Sequence, residues 1–395
     1  MEIYSRHILI GDTFQSGTLV FADKIRRFLP GDKTETTKDG AHRLAEQKDL
    51  AKEAEASLGD LTDCFIIPGL IDIHTHAAMG ADASDGDPDG LSDMSLFYAS
   101  HGVTSFCPTT MTLKEPELTK ACRTIRDFRR PAGGAKCAGV NLEGPFVSEE
   151  KRGAQNRDCI HLPDIELLKR LNEASGGHVK LVTVAPETEG GIAFVKEASK
   201  ICRVSLGHTM ADYETAVRAF DAGAGHVTHL YNAMPPLHHR MPGLIGAAFD
   251  CGATVELISD GLHVHPSAVR MAERLFSGRL VLISDSLRCT GMPDGDYMFG
   301  GQMITLKNKK ATLKGTDTLA GSVISLMEGV RRAVSFGIAP EQAILAASRT
   351  PARVIGKEDE IGSLNEGSCA DIVALDRNWN IVKVWIDGTD QRRSL

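Results

Sequence analysis

From residue 68 onward the chain alternates between short apolar runs of β character and helical runs, at intervals of about 25–40 residues. The strand candidates are Ile71–Thr75, Val103–Pro108, Ala138–Glu143, Lys180–Val184, Val204–Gly207, His226–His229, Thr254–Ser259 and Leu280–Ser284. Between them lie helical stretches such as Glu115–Arg130, Asp164–Glu173, Ile192–Lys200, Asp212–Ala222 and Pro266–Leu275. Eight such alternations predict an α/β chain, and a (β/α)8 TIM barrel rather than an open doubly wound sheet. Helical runs at Ser322–Phe336, Pro340–Ala347 and Pro351–Ile355 complete the outer ring.

Both ends of the chain read differently. Ile8-Leu9-Ile10, a turn at Gly11-Asp12 and Thr18-Leu19-Val20-Phe21 are β-rich, and Asp63 to Ile67 returns to strand. Two more β runs, Asp371–Asp376 and Ile381–Ile386, follow the turn at Glu366-Gly367. Residues 1–67 and 362–395 are therefore expected to form one small β-sandwich domain, with the barrel over 68–361. Residues 41–58, rich in Ala, Glu, Lys and Leu, read as a surface helix with a thin apolar face.

A chain of 395 residues can bury a large core. Its 44 basic and 52 acidic residues give a net charge of −8, which argues against nucleic acid or an anionic membrane as partner. The N-terminus lacks a basic region followed by an apolar core, and no apolar run reaches the roughly 18 residues of a membrane span. The 9 cysteines are odd in number and scattered without a Cys-x-x-Cys pair, so reduced thiols and a cytoplasmic location are expected.

The chemistry gathers at strand ends, where barrels of this kind carry functional groups. In Pro68-Gly69-Leu70-Ile71-Asp72-Ile73-His74-Thr75-His76, alternation projects Asp72, His74 and His76 to one face. Two imidazoles about 7 Å apart on a rigid strand can converge on one divalent ion. Strand 3 ends at Glu143, strand 5 at His208, strand 6 at His229, strand 7 at Asp260 to His263, and strand 8 at Asp285. Four histidines and two carboxylates at one rim form a nitrogen and oxygen ligand set suited to Zn, Fe, Mn or Co. Burying so many polar groups without an ion would be costly. Glu143 can bridge two ions, with His74 and His76 on one and His208 and His229 on the other. Asp285 is then placed as general base. One or two ions per chain fit this set.

Further stretches read as substrate grips. Asn232-Ala233 leaves strand 6 on a Pro-rigid loop, and Arg240 beyond it offers a planar fork of donors to a phosphate. His263 is a polar tip for sugar hydroxyls, phosphate or an oxyanion, whereas His265, next to Pro266, reads as structural. Leu319-Ala320-Gly321 has small residues ahead of a helix, where backbone can approach a ligand. Residues 286–301, containing Gly and Met, read as a flap near the site.

Taken together, Leu142-Glu143-Gly144-Pro145-Phe146, Gly207-His208-Thr209, Thr228-His229-Leu230-Tyr231-Asn232-Ala233-Met234-Pro235, Asp260-Gly261-Leu262-His263 and Leu319-Ala320-Gly321-Ser322 resemble the amidohydrolase superfamily. Within it, they resemble the N-acetylglucosamine-6-phosphate deacetylase family, over nearly the whole chain. That resemblance implies metal-dependent hydrolysis of an N-acetyl group, with release of acetate and glucosamine 6-phosphate. It implies metal ligation by Glu143, His208 and His229 and acid–base catalysis by Asp285. Substrate contacts would fall at Ala154, Gln155, Asn232, Ala233, Arg240, His263, Leu319, Ala320 and Gly321, in a cytoplasmic homodimer. Two positions depart from some members. The pair His74 and His76 is kept where others have lost it, and Gln155 stands where others carry a histidine. An amide can donate to a carbonyl oxygen but cannot change charge near neutral pH.

Three other readings compete. A cyclic amidase would carry a carboxylated lysine after strand 4, and that strand ends instead at Val184-Ala185-Pro186-Glu187. A deacetylase for N-acetylgalactosamine 6-phosphate differs only in the orientation of one hydroxyl. A catalytically inactive binding protein on the same scaffold should have lost ligands, and none is missing.

Overall fold

The structure is a computed structural model that describes residues 1–31 and 60–391. The helix expected at 41–58 lies outside the described residues. Strands β1 (Glu2–Ile10), β2 (Thr13–Phe21), β3 (Ile25–Pro30) and β4 (Phe65–Pro68) precede the barrel. The barrel strands follow as β5 (Leu70–Thr75), β6 (Val103–Thr110), β7 (Val140–Phe146), β8 (Val179–Val184), β9 (Arg203–Leu206), β10 (His226–Val227), β11 (Thr254–Ile258) and β12 (Leu280–Ile283). They pair in parallel, in sequence order. Across the seam between first and last strand, the Asp285 amide donates to His74 O at 2.9 Å and the Ser284 amide to Asp72 Oδ1 at 3.3 Å. This is the (β/α)8 barrel anticipated from the alternation, with strand ends shifted by one to three residues.

Local sequence starts the surrounding helices where expected. Asp164, Asp212 and Ser325 cap the helices Ile165–Ala174, Tyr213–Asp221 and Leu326–Ser335 through their side-chain oxygens. Two further helices, Pro88–Ser100 and Gly243–Asp250, escaped the sequence reading. The first has a legible start, Asp87 capping with Pro88 in its first turn. The second contains Gly243 and Gly246, residues of low helix propensity, and is held by burial of Leu244, Ile245, Ala247 and Ala248.

After β12 the chain makes an antiparallel three-stranded sheet, β13 (Gly295–Phe299), β14 (Gln302–Lys307) and β15 (Lys310–Leu313). The stretch read as a flap thus carries a strand, and the sheet runs on past it to 313. Its period-2 signal is blurred by Gly295 at the start of β13 and by Met298 and Met303, apolar residues that face each other on the exposed side.

The chain then closes with β16 (Ile372–Leu375), β17 (Ile381–Ile386) and β18 (Thr389–Asp390). One seven-stranded sheet of order β18-β17-β16-β4-β1-β2-β3 joins the two ends of the chain. Phe21 on β2 and Trp385 on β17 are four strands apart in that order, yet their rings lie 6.1 Å from each other. Flat, they would be roughly 19 Å apart at 4.7–4.9 Å per strand. The sheet therefore curls on itself, and the Ile25 amide donates to Ser368 O near the opposite edge. The expected sandwich core, with Ile3, Leu19, Ile66, Ile372 and Trp385, is enclosed by one folded sheet.

Candidate metal centre and substrate pocket

Ile71 and Ile73 of β5 face the lower barrel interior, where they pack with Leu181, Ile258, Val281 and Ile283 from other strands, while Asp72 pairs with outward-facing Phe106, so the expected placing of Asp72 inside and Ile71 and Ile73 outside does not hold. A register shift between Asp72 and Thr75 then brings His74 and, just beyond, His76 to the inner rim, both buried. Barrel interiors are usually layered with branched aliphatics. This one also holds Asn141, Thr183, Ser205, His226 and Glu256, buried and polar. The rim above them collects the residues singled out from the strand ends.

Glu143 is the hub. Its Oε1 lies 2.9 Å from His229 Nε2, 3.1 Å from His208 Nε2 and 3.4 Å from His74 Nε2, and its Oε2 lies 3.1 Å from His76 Nε2. Two ligand groups of buried residues result, His74–His76–Glu143 and Glu143–His208–His229. Asp285 Oδ1 stands 3.3 Å from His76 Nε2 and 3.7 Å from His74 Nε2, so it faces the first group. His208, His229 and Asp285 leave their strands with φ of 47°, 27° and 48°. Such left-handed residues cost on the order of 1–3 kcal/mol each and tend to cluster at functional sites.

The donor set fits a divalent cation. Metal ligands must offer a lone pair, so each imidazole must hold its proton on the far nitrogen. His76 Nδ1 lies 3.1 Å from Thr109 O, His208 Nδ1 2.8 Å from Lys151 O and His74 Nδ1 2.8 Å from Glu256 Oε2. Each partner is an acceptor, which leaves Nε2 unprotonated toward Glu143. His74 Nε2 is fully buried without a hydrogen-bond partner among the described residues. Four nitrogens around two carboxylate oxygens suit Zn, Fe, Mn or Co.

Without an ion, protons fill that role. Burial lowers the basicity of His76, yet Asp285 and Glu143 outweigh it and push the group up to about 9. Burial is likewise outweighed at His74 by Glu256 and Glu143, which raise it well above the usual range. Burial would raise Glu143, but His74 and His208 hold it well below the usual carboxylate range.

A cavity of about 290 Å³ opens above the hub. Ala154, Gln155, Asn232, Ala233, His263, Leu319, Ala320 and Gly321 line it, as the sequence suggested, together with His76, Glu143, His208, His229 and Asp285. Three residues differ from expectation. Gln155 Nε2 donates to Glu143 Oε2 at 2.5 Å, and its Oε1 accepts from the Thr112 amide at 2.7 Å, so the amide steadies the hub. His263 is tied through Nδ1 to Asp260 Oδ2 at 2.7 Å. Arg240 does not reach the cavity: it is exposed, with Nη1 2.7 Å from His239 Nε2. The loop after β10 carries it outward, which sequence order cannot reveal. His265 caps the helix Pro266–Leu275, consistent with a structural role.

Other contributors were not anticipated. Met111, Ile258 and Phe299 form apolar wall, and Phe299 packs its ring 5.5 Å from that of His76. Lys151 is the one Lys or Arg among the described residues that lines the cavity. Glu256 was legible as a charge inside an apolar strand, but its partners were not.

A rim of histidines and one bridging carboxylate on the C-terminal face of a (β/α)8 barrel defines a metallohydrolase class. The Amidohydrolase family model matches residues 65–389, and the chain belongs to that family. It is 39% identical over 330 residues to the N-acetylglucosamine-6-phosphate deacetylase of Bacillus subtilis (strain 168), covering 81% of this chain and 83% of that one. It is 36% identical over 328 residues to the N-acetylgalactosamine-6-phosphate deacetylase of Escherichia coli O157:H7, covering 82% and 87%. Among solved structures, N-acetyl-D-glucosamine-6-phosphate deacetylase of Mycobacterium smegmatis, as a mutant in complex with N-acetyl-D-glucosamine-6-phosphate, superposes with a TM-score of 0.88. The two chains are 28% identical and 99% of each is covered.

Proposed function

We propose that this chain is a metal-dependent deacetylase that converts N-acetyl-D-glucosamine 6-phosphate and water to D-glucosamine 6-phosphate and acetate, in amino-sugar catabolism. The observation that carries the reading is Asp285, whose carboxylate faces the His74–His76–Glu143 group at the floor of the cavity. The names and coverage of the relatives support the substrate class.

Glu143, His208 and His229 would hold the essential ion, with His74 and His76 joining Glu143 on a second. When bound, such an ion supplies a Lewis acid for the amide carbonyl and acidifies an attacking water. Asp285 takes the proton from that water as its oxygen bonds to the carbonyl carbon. Asp285 then gives the proton to the amide nitrogen as the C–N bond breaks, because an amine does not leave as an anion. Met111 and Phe299 keep bulk water from this end of the cavity, and Asn232, Ala233, His263 and the Leu319–Gly321 backbone orient the sugar.

Zn, Fe, Mn or Co in one or two copies suits the ligands. The enzyme is assigned to the cytoplasm, with a barrel domain over 68–361 and a small domain from 1–67 and 362–395. A homodimer is favoured by the apolar side chains Leu237, Met241 and Leu262, exposed on the loops after β10 and β11. Arg240 lies among them and would then meet phosphate in the cavity of a second copy, while Lys151 serves its own.

Acetate release from a panel of N-acetylated sugars tests the reading. N-acetylglucosamine 6-phosphate should be turned over best and unphosphorylated N-acetylglucosamine poorly; a preference for the galacto epimer would reassign the substrate. R240A and K151A should each raise KM roughly ten- to a hundredfold on the phosphorylated sugar, the worth of a charged hydrogen bond. Equal losses on both sugars would remove the phosphate role.

A further inference from the structure

Glu256 sits in the middle of β11, fully buried, and belongs to neither ligand group. Alternation along the strand places Thr254, Glu256 and Ile258 on one face, and Ile258 lines the cavity. Directly beneath the centre, the Glu256 carboxylate collects three nitrogen partners. Its Oε2 lies 2.8 Å from His74 Nδ1 and accepts from the His229 backbone amide at 3.1 Å. Its Oε1 lies 3.2 Å from His226 Nε2.

These contacts do different work from those of the other ligands. His76 and His208 are each oriented by a neutral backbone carbonyl, whereas His74 is oriented by a carboxylate. A carboxylate acceptor fixes the ring more firmly and strengthens the donor power of the far nitrogen. Among the described residues His229 Nδ1 has no hydrogen-bond partner; its backbone amide is held by Glu256 instead, at a residue with φ of 27°. One side chain therefore grips a histidine from each of the two groups. A buried carboxylate is expensive, and barrel interiors are ordinarily filled by branched aliphatics, so packing gives no reason for it.

We propose that Glu256 is a positioning residue that holds His74 with Nε2 turned toward Glu143 and couples the two ligand groups, so that the ion at His74–His76–Glu143 depends on it. The proposal rests on the metal-dependent reading above.

The test compares the full-length wild type with E256M, E256D and H74A. Each is stripped with chelator, reloaded with Zn²⁺ and desalted for metal counting by mass spectrometry, and its ion affinities are measured against a competing chelator. Circular dichroism on the metal-free proteins checks the fold. The wild type is expected to hold two ions. E256M should weaken one of them about ten- to a hundredfold, the usual effect of losing a partner behind a ligand. E256D keeps the charge but withdraws it by one bond, and should show a smaller loss of the same ion. The double variant E256M/H74A should bind no more weakly than H74A alone, since both changes remove one interaction. If E256M does not fold, E256D and its double variant with H74A carry the same comparison. A wild type with two ions and Glu256 variants of unchanged affinity overturns this proposal alone. A wild type with a single ion overturns it together with the two-ion reading, and one with none overturns the metal-dependent function.

Discussion

At the scale of single residues, Asp285 separates proton transfer from ligation. Its Oδ1 approaches His76 and His74 and not the His208–His229 pair. D285N is nearly isosteric, so it should keep the fold, the Glu143–His208–His229 ion and substrate Kd. Turnover needs the proton carried to the leaving nitrogen, and neither Gln155 nor an asparagine can carry it. We expect kcat to fall at least about 10²-fold, the low end of general acid–base catalysis. Metal content, Kd and kcat on one preparation decide the matter: loss of the ion along with activity would make Asp285 a ligand first. His208→Ala should behave in that second way, losing the tightly held ion and the activity together.

At the scale of elements, the β13–β15 sheet shapes one wall of the cavity. Phe299 stands over His76, and Gln302 Nε2 donates to Ala154 O at 2.6 Å, joining this sheet to the loop that bears Gln155. Gln302→Ala removes that tie and leaves the centre untouched. One hydrogen bond contributes about 0.5–1.5 kcal/mol, so KM should rise roughly two- to tenfold with kcat nearly unchanged. A fall in kcat at constant KM would show that the sheet positions reacting groups instead. The strand ends carry a different lesson. His74 and His76, two residues apart, share the inner rim as alternation suggested, but a register shift between Asp72 and Thr75 breaks the alternation below them, which no local pattern announced. The strands of this sheet were hidden because apolar Met298 and Met303 lie on the exposed face and break the alternation.

At the scale of the molecule, the C-terminal end of the chain is tied to the barrel by a partly buried charge cluster. Lys136, beside β6, reaches Asp371 at 2.7 Å and Asp387 at 2.9 Å, and Arg130 also meets Asp387 at 3.2 Å. Asp371 is 2% exposed, and burial raises its pKa even against the pull of Lys136. Lys136→Met leaves that carboxylate without its main counter-charge. Removing one partner of a buried pair costs about 3–5 kcal/mol, and the solvent contact left to Lys136 favours the lower end. Urea unfolding should show the loss, and Lys136→Met with Asp371→Asn should recover part of it. A loss below about 1 kcal/mol would mean that the cluster is as weak as a surface pair.

Sequence alone determined the barrel, its eight strands and the residues at their tips, because hydrophobic period and strand ends depend on near neighbours. It also marked Glu143, His208, His229 and Asp285 as one rim, since strand order in a (β/α)8 barrel follows chain order. Only the tertiary structure decided which groups stand behind them. Glu256 is 182 residues from His74 and meets it past the intervening β12, a pairing no local pattern encodes. Gln155 braces Glu143, and Arg240 is turned out of the cavity, for the same reason. Hydrogen-bond partners and loop directions are fixed by how the strands close around one another, and that closure exists only in the folded molecule.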